Sequence, residues 1–71
     1  MKEVLERIAE VLEVPSVSPG DDFRAVPMWG SLVGFAIIVM IEQRYGRRLA
    51  VEDFMACRTV ADLARAAGVA E

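Results

Sequence analysis

Ten consecutive positions, LVGFAIIVMI from Leu32 to Ile41, carry no polar side chain, in a chain of only 71 residues. No charge occurs between Arg24 and Glu42. A run of this kind must either cross a membrane or be buried by the rest of the chain. Pro27, Gly30 and Ser31 interrupt the only part long enough to approach the roughly 20 residues of a span, so a core helix is the better reading. A single small domain over residues 1–71 follows, and such a domain buries only about 60% of the surface its unfolded chain exposes. The 55% hydrophobic content exceeds the usual 45–50% or so, which favours a folded chain over a disordered one.

The flanking elements read as shorter helices that wrap this one. Residues 2–13 place Val4, Ile8, Val11 and Leu12 at helical spacing, with Glu3, Glu6, Arg7, Glu10 and Glu13 on the wet side, and Val14-Pro15 ends the pattern. A long connection rich in Pro, Ser, Gly and Asp follows, with Phe23, Val26 and Trp29 spaced to pin it on the core. The second helix spans residues 32–45, with Ser31 in the N-cap position, Gly46 as C-cap, and Arg44, Arg47 and Arg48 near its negative end. Residues 51–55 give a short helical piece. Residues 59–67 form the last helix, opened by a Thr59/Asp62 pair resembling a capping box, with Val60, Leu63, Ala64 and Ala67 inward and Gly68 closing it. The fold class expected is all-α, a small four-helix bundle with three longer helices and a short third.

Composition excludes several chemistries. Eleven acids against eight bases leave a net charge of −3 and a pI near 4.8, the wrong balance for neutralising phosphates of nucleic acid. There is no histidine, which removes Ser-His-Asp and Cys-His nucleophile systems and His-containing zinc sites. Cys57 is the only cysteine; among Met55, Ala56 and Val60 it reads as a small buried side chain rather than a nucleophile or metal ligand. An unpaired cysteine and a charged N-terminus without a signal-peptide pattern point to the cytoplasm.

Ser31 is the hydroxyl that stands out. As an N-cap it would accept a hydrogen bond from an amide near Gly34, a role worth about 1 kcal/mol. Its surroundings are those of more than a cap: a long loop ahead, Trp29 and Gly30 beside it, and a long apolar helix behind. Trp29-Gly30-Ser31-Leu32 resembles the modification motif of the acyl and peptidyl carrier proteins, usually Asp-Ser-Leu and often preceded by Trp. IEQRYGRRLAVEDF resembles the end of that family's second helix and the following loop, CRTVADLARAAG its passage into the last helix, and MKEVLERIAEVLEV its first helix. The likeness covers nearly the whole chain.

The resemblance implies that Ser31 carries 4′-phosphopantetheine, whose thiol holds an acyl or aminoacyl group as a thioester. It also implies that the protein is no enzyme, and that its partners are a phosphopantetheinyl transferase and acyl-loading and acyl-processing enzymes of fatty-acid, polyketide or nonribosomal-peptide-type synthesis. A phosphodiester at a helix N-terminus lies among free N–H groups at the positive end of the macrodipole. No bound metal is expected.

Two departures from the family pattern stand out. Gly30 replaces the Asp before the serine, which removes a charge used in transferase recognition and loosens the backbone. The second helix is apolar where the family usually presents acids. Ten consecutive apolar positions cover every face of a helix, so some must point outward. Leu32, Phe35, Ile38, Val39 and Ile41 are assigned to the core, leaving Val33, Ala36, Ile37 and Met40 as an apolar patch, covered by the long loop or open to partners. With Leu32 beside the serine, and Glu42, Glu52 and Asp53 for acidic steering, these make the expected partner-docking set. Gly34, about 1 kcal/mol worse than Ala in a helix, has no evident compensation. A monomer is expected. The alternatives are an unmodified carrier-like interaction module and a homo-oligomer formed through the apolar face of the second helix.

Overall fold

The computed structural model describes residues 2–69. It contains α1 (Lys2–Leu12), a 3-10 turn (Phe23–Ala25), α2 (Ser31–Tyr45), α3 (Val51–Ala56) and α4 (Val60–Ala66), with no strand among the described residues. The helical bundle expected from the sequence is therefore the fold, including the short third helix.

Each helix is bounded by identifiable chemistry. α1 ends at Leu12 because Glu13 turns into the left-handed region at φ 58°, and the amide of Val14 then reaches back to the carbonyl of Ala9 at 3.1 Å. Gly46, at φ 66°, closes α2 by donating to the carbonyl of Glu42 at 3.0 Å. α4 has the full capping box: Thr59 Oγ1 accepts from the amide of Asp62 at 3.3 Å, and Asp62 Oδ2 accepts from the amide of Thr59 at 3.1 Å.

The remaining first-turn amides of α4 are satisfied by the long loop. Val60 N donates to the carbonyl of Asp21 at 2.9 Å and Ala61 N to that of Pro19 at 2.8 Å. These bonds, with the buried ring of Phe23, hold the 3-10 turn and its continuation to Trp29 in place against the bundle. The pinning expected of Phe23, Val26 and Trp29 is realised as one buried and two half-buried side chains.

α1 packs on α2 and α4. Val4, Ile8 and Leu12 fill its inner face, and Val60, Leu63, Ala64 and Ala67 that of the last helix, as their spacing predicts. α2 departs from expectation. Its buried positions are Gly34, Ile37 and Ile41, with Ile37 and Ile41 both 0% exposed, whereas Leu32 is 83% and Phe35 62% exposed. Assigning Leu32 and Phe35 to the core and Ile37 to the outside is therefore corrected: the helix is rotated. The ladder 34–37–41 continues to Tyr45, whose hydroxyl donates to Glu3 Oε1 of α1 at 2.9 Å. That bond is in keeping with the rotation and lies at the end of α2 where polar residues discriminate between faces.

Candidate functional site

Ser31 is the first residue inside α2, and the N-cap is Gly30, in extended conformation with φ −175° and ψ 172°. The expectation that Ser31 caps the helix is corrected. Because its own backbone is already helical, its side chain no longer lies where an N-cap oxygen reaches the first-turn amides, and no side-chain cap bond forms. The residue is exposed.

The contrast with α4 is informative. There, loop carbonyls and Thr59 occupy the first three amides. At α2, the amides of Ser31, Leu32 and Val33 donate to no described residue, and the ladder starts with Gly34 N to Gly30 O at 3.0 Å. An exposed hydroxyl thus lies beside three free N–H groups at the positive end of a 15-residue helix, an arrangement that suits a negatively charged substituent. A Cβ built on Gly30 would meet nothing within 4 Å, so space beside the serine is open.

Ser31 also lies on the edge of a groove of about 490 Å³ between α2 and α3, whose walls include Phe35, Ile38, Val51 and Met55. Its floor is aromatic. Trp29 meets Phe23 edge-on at 5.5 Å between centroids, and Phe54 lies 5.7 Å from Phe23. Gly34 is the helix position under these rings: a Cβ there would approach Trp29 Cη2 at 3.3 Å and Phe54 Cε2 at 3.4 Å. The glycine's cost in helix propensity is offset by this close approach.

Of the expected docking residues, Leu32, Ala36, Glu42, Glu52 and Asp53 are exposed, Val33 and Met40 are half-buried, and Ile37 lies in the core. Sequence reasoning missed Phe35 as a surface residue and passed over the exposed apolar side chains Met28, Val51 and Met55, of which Val51 and Met55 line the groove beside the serine. A usable signal was present. Counting back from Gln43 at helical spacing reaches Val39, Ala36 and Leu32, which share one surface groove with Phe35.

Cys57 is buried, as expected, and its thiol donates to the carbonyl of Asp53 at 3.5 Å. Burial, reinforced by the negative charge of Asp62, pushes it above the ordinary thiol range. No cluster of three metal-ligating side chains occurs among the described residues, and no helix there is long and apolar enough to cross a membrane.

The structure thus sets an exposed serine at the uncapped entrance of the longest helix of a four-helix fold. The family model described as phosphopantetheine attachment site matches residues 2–67, and the chain belongs to that family. Its cofactor is covalently attached 4′-phosphopantetheine, and its domains are carriers rather than enzymes, working with a transferase and with biosynthetic enzymes. Comparison with curated proteins and with solved structures returned no match.

Proposed function

We propose that residues 1–71 form a single carrier domain whose attachment residue is Ser31, and that it shuttles acyl or aminoacyl intermediates of fatty-acid, polyketide or nonribosomal-peptide-type synthesis. The observation that supports this most is the exposed Ser31 hydroxyl at the uncapped start of α2, in a chain of the phosphopantetheine attachment family. In the modification, Ser31 Oγ gives up its proton and bonds to the phosphorus of coenzyme A that bears the pantetheine. The phosphoanhydride bond breaks, and adenosine 3′,5′-bisphosphate leaves. The group attached there supplies a thiol that holds the intermediate as a thioester.

The chain's own residues then have three tasks. The free amides of Ser31, Leu32 and Val33 stabilise the phosphodiester charge. Leu32, Phe35 and Ala36 offer partner enzymes an apolar surface, and Glu42, Glu52 and Asp53 add acidic steering. The core, with Cys57 inside it, withholds any competing thiol. The domain works as a monomer in the cytoplasm, where a reducing poise keeps the arm's thiol free.

Incubation with coenzyme A, Mg²⁺ and a broad-specificity transferase is expected to add about 340 Da, the mass of the arm. Ser31→Ala abolishes the addition. If no transferase, including one from the source organism, adds this mass, the chain is an unmodified interaction module.

A further inference from the structure

The α2–α3 groove has a single ionisable side chain in its lining, Arg24. Its guanidinium is fixed by donation from Nη2 to the carbonyl of Met55 at 3.2 Å and, more weakly, to that of Phe54 at 3.5 Å, at the C-terminal turn of α3. It also lies 5.1 Å from the centroid of the Phe23 ring. These contacts hold a half-buried cation in one geometry and leave Nε and Nη1 without a described acceptor. Among the described residues no carboxylate pairs with it. The ion pairs among the described residues are Arg7 with Glu10 and Arg65 with Asp62, and Asp22, two positions away, spends its side chain on the backbone amide of Arg24.

An immobilised guanidinium on the wall of an apolar groove is a fork-shaped donor waiting for an oxyanion, in surroundings where a charged hydrogen bond is worth more than in water. Ser31 borders the same groove, so a group tethered to it is rooted at the groove's edge, within reach of Arg24. We propose, resting on the assignment of Ser31 as the attachment residue, that Arg24 is an oxyanion-binding residue for the group Ser31 carries. It receives an oxyanion of the tethered group, while the apolar part of that group lies over Trp29 and Phe54. Two oxyanions fit this chemistry: the phosphodiester of the arm, and a carboxylate at the far end of the cargo.

The test uses the modified protein, with attachment verified first by mass. Wild type, Arg24→Gln, which keeps amide donors but loses the charge, and Arg24→Lys, which keeps the charge, are compared unloaded and loaded with hexanoyl or adipoyl groups. The readouts are the phosphorus NMR shift of the phosphodiester, the Arg24 Nε–H resonance, and emission from Trp29. If the arm is the source, the phosphorus resonance of the unloaded protein moves in Arg24→Gln and stays near the wild-type position in Arg24→Lys. If the cargo is the source, the phosphorus resonance is unchanged, and adipoyl but not hexanoyl shifts the Nε–H resonance. Either response weakens as salt is raised.

Should Arg24→Gln lose its helical circular dichroism, the wild-type Nε–H resonance compared between apo, modified and adipoyl forms decides without a variant. Mass gain with no response at Arg24 in any of these comparisons overturns the role of Arg24 and leaves the attachment standing. Absence of mass gain overturns both.

Discussion

The indole of Trp29 stacks on the ring of Phe54, with centroids 6.2 Å apart and 20° between their planes, directly against the first turn of α2. This pair joins the end of the long loop to α3 across Gly34. It builds the floor of the groove beside Ser31, and through it the loop, α2 and α3 are read out by a single fluorophore, since Trp29 is the only tryptophan.

Substituting Gly34 tests that contact. In Gly34→Ala the gain in helix propensity of about 1 kcal/mol is opposed by a Cβ that forces the rings to give by tenths of an ångström. Net stability is expected to change by less than about 1 kcal/mol, with a clear change in Trp29 emission. Gly34→Leu overfills the space and is expected to cost about 1–3 kcal/mol in denaturant unfolding. An unchanged emission spectrum in Gly34→Leu contradicts the packing.

The rotation of α2 separates two apolar residues of one helix, five positions apart, by their effects. Ile37→Ala, fully buried, is expected to cost about 2–5 kcal/mol of stability. Leu32→Ala, almost wholly exposed, is expected to stay within about 0.5 kcal/mol in unfolding while slowing arm transfer by the transferase. The reverse pattern places Ile37 outside.

Gly30 holds an extended backbone with free space around it, so nothing steric keeps an aspartate out. Gly30→Asp is expected to fold, to gain a few tenths of a kcal/mol from the N-cap bond that glycine lacks, and to be modified faster by a generic transferase. An unchanged or lower rate of mass gain overturns the reading that the missing aspartate slows modification.

Thiol titration reports attachment independently of mass. Burial holds the Cys57 thiol above its ordinary range, so fewer thiolates form at neutral pH and reagents reach them only through opening. The apo-protein is expected to react slowly with a disulfide reagent, and the modified protein to show one added fast equivalent that Ser31→Ala removes. A fast phase in the apo-protein refutes the buried placement of Cys57.

The cap of α4 sets an acid limit. Asp62 accepts from the amides of Arg58 at 2.9 Å and Thr59; these bonds, and the contact with Arg65, hold its carboxyl below the ordinary carboxylate range. A carboxyl depressed in the folded state stabilises fully above its unfolded value, and that contribution fades as pH falls through the folded one. The melting-temperature gap between wild type and Asp62→Ala is therefore expected to narrow on acidification. Thr59→Ala, which removes the neutral half of the box, is expected to cost about 1 kcal/mol at any pH, about 4–8 °C in a domain this size.

Much of this protein is legible in its residues. The stripes Val4/Ile8/Leu12 and Val60/Leu63/Ala64 alternate with charges, so one face of each helix is forced inward by water alone. Thr59-x-x-Asp62 and Gly46 mark helix ends through bonds among near neighbours, and the motif around Ser31 points to the proposed attachment residue without reference to distant parts of the chain. Other features were settled only when the chain closed on itself. Between Leu32 and Ile41 every face is apolar, so within that run burial has no preference among rotations; only the polar residues beyond it, such as Gln43, carry a signal, and the contacts of Gly34 with Trp29 and Phe54 set the packing. Whether Ser31 caps its helix depended on the backbone of Gly30, and the placement of Arg24 beside the groove on carbonyls about thirty positions away. Local pattern decides where contrast between wet and dry exists within a few residues; where it is absent, long-range contacts decide.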